Sequence, residues 1–253
     1  LGDETSIEWA DRTINFAMGC TKVSSGCDNC YAERNLKRFG KPWKFTPTNI
    51  DNVIEKLNQW PPSIIFTNSM SDTFHEDADD EFVDREFEVM GAYSKHQFVV
   101  LTKRIGRAYN WFKNRYVPLN CWIGTSIEDK AHLFRMETLK KITANVRFVS
   151  FEPLLEGLGK INLDGIHWAI VGGESDFKAP RHFDIEWARE IRDQCINSNT
   201  AFFFKQTGGK KKIDGCWGTN ILDGRKYLEM PFKLQTKESI SERDILQKEL
   251  LLD

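Results

Sequence analysis

The sequence has no apolar run near the roughly 20 residues that a membrane-spanning helix needs, and no charged-then-apolar secretion signal at its start. Charge of one sign is missing too. The 35 Lys and Arg stand against 37 Asp and Glu, so any attraction to a polyanion must come from a local patch. The five histidines are scattered and form no H-x-x-H pair, which favours ordinary core or surface histidines over metal ligands. No internal repeat or low-complexity tract stands out. Six cysteines in a chain of 253 residues without a secretion signal do not make a disulfide framework. These absences predict a reduced, cytoplasmic protein that does not enter membranes, with Cys121, Cys195 and Cys216 as plain thiols. Hydrophobic content of 40% and charged content of 28% are those of a globular protein, with length for one large domain or two small ones.

What is present concentrates in one stretch, Gly19 to Glu33, where Cys20, Cys27 and Cys30 follow the spacing C-x6-C-x2-C. Glycines precede the first two cysteines, as a tight loop that approaches a ligand requires. After Cys30 the chain turns to helix-forming residues, with Gly40 as a stop. A structural zinc site takes four protein ligands. An ordinary iron–sulfur cluster takes four cysteines. Three close thiols with no obvious fourth leave one metal position for something other than protein.

Along the rest of the chain, strand-like and helix-like blocks alternate. Near-continuous apolar strands are expected at 63–70, 98–104, 121–128, 146–155, 167–175 and 201–209. Helices are expected at 51–60, around 82–93, 107–113, about 130–142, and after Asp184. Residues 6–15 read as a lead-in strand or loop. This pattern predicts a parallel sheet covered by helices, a (β/α) barrel, complete or partial, over residues 1–232, followed by a helical tail over 233–253. Every strand ends in polar or glycine residues. In barrel enzymes those ends form the active-site face, so the polar residues share a rim with the cysteine loop.

The cysteine block with Tyr31-Ala32-Glu33 resembles the motif of the phage Gp37/Gp68-type family (DUF5131-like), a divergent three-cysteine branch of the radical S-adenosylmethionine (SAM) proteins. The resemblance extends through Val100–Arg104, Trp122–Glu128, Phe151–Leu155, Val171–Ser175, Phe203–Gln206, Leu222–Arg225 and Glu229–Pro231, about residues 7–232. It implies a radical SAM enzyme of TIM-barrel type in which Cys20, Cys27 and Cys30 hold a [4Fe–4S] cluster. The cluster would cleave SAM and generate a 5′-deoxyadenosyl radical. It also implies an electron donor and leaves room for a protein partner. By position on the strand ends, Asn68 and Ser69 are candidates for the methionine moiety of SAM, Ser126 for its ribose or carboxylate, and Glu152 for its amino group. Gly172, Gly173 and Glu174 are candidates for the approach of adenine or ribose. Lys103, Arg104, Lys205 and Gln206 are candidates for the substrate or the SAM carboxylate.

Two other readings stay open on the residues alone. One is a zinc-stabilised nucleic-acid-binding module, completed by His75 or Cys216. The other is an iron–sulfur redox or sensor protein that does not cleave SAM. The substrate expected by analogy is DNA, RNA or a nucleotide. Two basic groupings could meet phosphate: Lys210-Lys211-Lys212, and the set Lys103, Arg104, Arg107, Lys113 and Arg115.

Overall fold

The computed structural model describes residues 5–175, 179–213 and 215–231. The expected helical tail over 233–253 lies outside the described residues. In chain order the elements are β1 (Arg12–Ile14), β2 (Ala17–Met18), α1 (Tyr31–Arg38), β3 (Thr46–Pro47), α2 (Ile50–Gln59), β4 (Ile64–Thr67), α3 (Asp80–Ala92), β5 (Gln97–Thr102) and α4 (Ile105–Phe112). They continue with β6 (Cys121–Ser126), α5 (Phe134–Leu139), β7 (Val146–Phe151), β8 (Trp168–Gly172), α6 (Ile185–Ser198), β9 (Ala201–Gln206), β10 (Lys212–Ile213) and β11 (Cys216–Trp217).

Seven of these strands form one all-parallel sheet in the order β1-β4-β5-β6-β7-β8-β9. Its two end strands do not pair with each other, so the architecture is a partial (β/α) barrel, as the alternating pattern predicts. The lead-in at 6–15 supplies the first strand, because Arg12–Ile14 runs parallel to Ile65–Thr67. Residues 130–142 form less helix than expected. A 3-10 turn at Lys130–His132 precedes a six-residue α5.

Local chemistry sets the helix ends. The side chains of Asn49, Asp79 and Asp184 accept backbone N–H groups at the starts of α2, α3 and α6, satisfying donors the helices leave open. The donor to Asn49 is the Asp51 N–H, at 2.8 Å. At the end of α6, Asn199 adopts the left-handed conformation at φ 54°. The buried faces follow helical spacing, with Val53 and Leu57 on α2, Val83, Phe87 and Met90 on α3, and Ala188, Ile191 and Cys195 on α6.

The strands alternate sharply. Phe98, Val100, Cys121, Ile123, Val149, Phe151, Ala169, Val171, Phe202 and Phe204 join the core shared with the helices. Their neighbours Val99, Trp122, Phe148, Trp168, Ile170 and Phe203 point to the opposite, concave face and pack with Trp9 and Phe66. This second, aromatic cluster fills the floor of the half-barrel. Trp168 sits at its centre, with ring centroids 5.6 Å from Trp9, 5.9 Å from Trp122 and 5.6 Å from Phe148. Above the floor the same alternation puts Lys103, Gly124, Ser126, Glu128, Ser150, Glu152, Gly172 and Lys205 on the concave side. The polar strand ends therefore stand over an apolar base.

Gly124 shows how closely that base is packed. A Cβ there would overlap the end of the Phe148 ring, which is itself fully buried. Gly124→Ala should cost about 1–3 kcal/mol through overpacking, read as a lower urea midpoint with an unchanged m-value. An unchanged midpoint would show that the aromatic floor can relax.

Candidate functional site

The loop from Gly19 to Cys30 is pinned across the carboxyl-terminal ends of four strands. After β4, the Gly19 N–H donates to Met70 O at 2.9 Å, and the Ser71 hydroxyl donates to Gly19 O at 2.6 Å. Tyr31, at the start of α1, donates to Ser69 O at 2.7 Å. After β5, Arg104 donates to Thr21 Oγ1 at 2.6 Å and to the Cys20 sulfur at 3.5 Å. After β6, Ser24 donates to Glu128 at 2.7 Å and Ser25 to Asp129 at 2.9 Å. After β8, Asn29 donates to Glu174 at 2.8 Å, and Arg34 to Ser175 O at 3.2 Å. Arg181 closes the circuit by donating to both Ser25 O at 2.8 Å and Glu174 at 3.1 Å.

The three cysteines are free and half-buried, whereas Cys121, Cys195 and Cys216 are buried. Cys27 ends a short 3-10 turn with its sulfur 3.8 Å from Ser24 Oγ. Cys30 occupies the capping position of α1 but makes no side-chain cap, so its thiol is not spent on the helix. Burial pushes the Cys20 thiol up to about 11, with Asp72 adding to the effect and Arg104 opposing it. Among the described residues no set of three or more His, Cys, Asp or Glu converges on a single ion. His75 is not a spare ligand: its Nδ1 accepts the Asp77 N–H, its Nε2 faces Thr21 Oγ1 at 3.2 Å, and its ring stacks on Phe45. Cys216 lies in the β10–β11 hairpin, with its sulfur near Lys205 O. The donor set thus suits a three-cysteine cluster in residue type and exposure.

Glu128 is a polar strand end beside Ser126 to which the sequence assigns no role. It is fully buried and binds Lys103, Arg135 at 2.9 Å and Ser24. Burial alone would raise its carboxyl, but Lys103, Arg135 and Ser24 outweigh that and hold it below the usual range. Gly26 must lack a side chain here, because a Cβ would overlap Glu128. The signal in the sequence was only the period-2 register that puts Glu128 on the same face as Ser126.

The other candidates divide into scaffold and free groups. Asn68 is buried at φ 53°, and every polar atom of its side chain is engaged. Its oxygen accepts the N–H groups of Phe16 at 2.8 Å and Ala17 at 3.3 Å. Its nitrogen donates to Thr73 at 2.8 Å and to Glu86 at 3.1 Å. Asn68 thus joins the loops at Phe16 and Thr73 to α3. Ser69 binds Asn15 through its hydroxyl and Tyr31 through its carbonyl. Glu174 is locked by Arg181 and Asn29. Gln206 binds Gly173 O and Ser175, and a Cβ on Gly173 would strike Thr207 O, so that glycine serves packing between β8 and the strand β9 exit. Arg104 is held by Asp72 at 3.1 Å and Glu76 at 2.8 Å, and Lys103 by Glu128. Facing the concave mouth, the buried Ser126 hydroxyl bonds to no described residue, and Glu152 pairs with Lys205 at 2.8 Å and accepts from Ser150 at 3.0 Å. A Cβ on Gly172 would lie 2.6 Å from Glu152 Oε1, so the bare backbone there keeps the mouth open.

Two predictions follow from these carboxylates. Glu128→Ala strips the partner from an almost fully buried Arg135 and should cost about 3–5 kcal/mol, read by urea unfolding at pH 7; a loss near zero would mean that Arg135 finds another partner. Glu86 behaves in the opposite sense. Burial pushes its carboxyl from an ordinary 4.5 up to about 8, against the hydrogen bond from Asn68. Between those values the folded chain keeps a proton that the unfolded chain releases, so stability falls as pH rises, by up to about 1.4 kcal/mol per pH unit. Glu86→Gln should flatten the wild-type decline between pH 5 and pH 8 in unfolding midpoint. Parallel profiles for the two proteins would contradict this.

Over residues 4–231 the sequence matches the protein family of unknown function DUF5131, and the chain belongs to that family. No curated protein matches it. In fold it is similar to spore photoproduct lyase. A solved cysteine-to-serine variant of that lyase aligns over 98% of this chain and 75% of its own, at 15% identity and a TM-score of 0.51. The lyase complexed with dinucleoside spore photoproduct aligns over the same shares, at 14% identity and 0.51. A lyase variant with bound AdoMet and dinucleoside spore photoproduct aligns over 75% of this chain and 62% of its own, at 15% identity and 0.48. The chain thus spans between 62% and 75% of the length of the lyase chains. What is shared is the partial (β/α) barrel.

Proposed function

We propose that this family member is a radical SAM enzyme that modifies a nucleic acid or nucleotide, with Cys20, Cys27 and Cys30 as the protein ligands of a [4Fe–4S] cluster. One observation carries the reading: three free, half-buried thiols sit on one loop fastened across the ends of β4, β5, β6 and β8. Bound there, cluster and SAM together supply reductive cleavage of a carbon–sulfur bond and a 5′-deoxyadenosyl radical for hydrogen abstraction, with the electron coming from a donor protein or small reductant.

The chain's own residues would bind, orient and exclude water. Glu128, Glu174 and Arg181 hold the loop in place, and Arg104 is aimed at the Cys20 sulfur. The Ser126 hydroxyl, the Glu152 carboxylate and the open backbone at Gly172 form the polar mouth where the amino-acid and sugar parts of SAM would rest. Glu152, paired with Lys205 at 2.8 Å, would hold the SAM amino group, and Lys205 would meet an anionic group beside it. The aromatic floor keeps water from below. Support for a nucleotide substrate comes from the fold shared with a lyase solved with a dinucleoside photoproduct, and from the sequence blocks that resemble the phage Gp37/Gp68-type family.

Anaerobic reconstitution with iron and sulfide should load about four irons per chain, and Cys27→Ala should lose them while keeping its far-UV circular dichroism. The loaded, reduced protein should convert SAM to 5′-deoxyadenosine and methionine. A tightly held zinc with no iron uptake, or full iron content in Cys27→Ala, would overturn the assignment.

A further inference from the structure

Of the two basic groupings in the sequence, Lys210, Lys211 and Lys212 are exposed, whereas Lys103, Arg104, Arg107 and Arg115 are neutralised in the fold. Lys103 pairs with Glu128, Arg104 with Asp72 and Glu76, and Arg115 with Asp84. Arg107 is consumed by the carbonyls of His75 and Ala78. A different stretch is neutralised only in part, Lys37 by Glu33. Between Glu33 and Asp51 the chain carries Arg34, Lys37, Arg38, Lys41 and Lys44 and no acidic residue, in a protein whose net charge is −2. Arg38, Lys41 and Lys44 are exposed, and no ion pair or side-chain hydrogen bond joins them to a described residue. Among them stands Phe39, 60% exposed at the end of α1, with Trp43 half-buried further along.

This ridge abuts the cysteine loop. Strand β3 pairs antiparallel with β2, matching Met18 with Thr46, and a Cβ on Gly19 would strike the Lys44 carbonyl. The ridge is also firmly seated, since Phe45 is buried and stacks on His75 with centroids 4.7 Å apart. On the amino-terminal side the nearest acidic groups are already occupied: Glu33 by Lys22 and Lys37, and Asp28 by Arg181.

From this juxtaposition we infer that the ridge Lys37–Lys44 is a docking surface for single-stranded nucleic acid, leading the strand past the cysteine loop to the mouth of the half-barrel. Unpaired cations spaced along an exposed segment suit successive phosphates, and their salt-dependent attraction acts locally despite the negative net charge. An exposed aromatic ring among them suits the face of an unstacked base, which a duplex keeps hidden. The inference deepens the nucleic-acid part of the proposed function but needs neither cluster nor SAM.

The test is fluorescence anisotropy of the full chain, without iron, on a labelled single-stranded oligonucleotide of about 20 nucleotides at salt from about 50 to 200 mM. The combined variant Arg38→Glu, Lys41→Glu, Lys44→Glu should bind at least about tenfold more weakly, with a log–log salt slope shallower by about 2, three phosphate contacts at roughly 0.7 each. Phe39→Ala should lose about tenfold on the oligonucleotide and nothing on an abasic strand of equal length. Lys210→Glu, Lys211→Glu should bind as the wild type does. The inference is overturned by absent binding at low salt, by wild-type affinity in the triple variant, by loss confined to the Lys210–Lys211 variant, or by equal loss on both strands with Phe39→Ala. SAM cleavage that fails while binding persists would sink the proposed function and leave the ridge standing, and the reverse result would do the opposite.

Discussion

The carboxylate of Glu128 lies fully buried where β6 ends, and it binds groups from three separate parts of the chain: Lys103 after β5, Arg135 on α5 and Ser24 on the cysteine loop. A charge in that position is stable only if its partners stay in place, since removing one of them strands the others in a low-dielectric setting. The requirement runs outward from there. Position 26 must be glycine for the loop to come close enough. Ser25 and Asn29 then fall within reach of Asp129 and Glu174, and Arg181 ties the two contacts together. The thiols are held at the rim by this chain of charge-assisted bonds more than by any apolar packing of the loop itself.

The half-barrel below separates two tasks along each strand. Its first residues close the concave side with tryptophan and phenylalanine, and its last ones open it with Ser126, Glu152 and the bare backbone of Gly172. Asn68, Glu86 and Glu174 are spent on holding the loops, so the groups with polar capacity left for a ligand are few and adjacent. A mouth of that kind, over a dry floor and beside three thiols, is suited to excluding water while presenting a small number of oriented contacts.

The strands, the parallel order and the polar rim were legible because alternation of apolar residues repeats in unit after unit, and because Cys20, Cys27 and Cys30 are close in sequence. Residue type alone could not say which polar strand ends are free. Asn68 looks like a ligand group, yet its left-handed backbone and hydrogen bonds to four residues tie it to the loops at Phe16 and Thr73. The apparent cationic cluster at Lys103, Arg104 and Arg107 vanishes once partners from distant segments, Glu128, Asp72 and the His75 carbonyl, are folded against it. The ridge from Lys37 to Lys44 escaped notice for the converse reason. Its charges are spread out rather than consecutive, and their significance lies in the acids that are missing around them.

The most direct test of the account is EPR spectroscopy of the anaerobically reconstituted, reduced protein, recorded before and after SAM is added. A [4Fe–4S]⁺ signal whose g-values shift with SAM is the predicted result, because three thiols as the protein ligands would leave one iron for SAM. A signal indifferent to SAM, or no iron–sulfur signal at all, would contradict it and make the cysteine loop a structural staple.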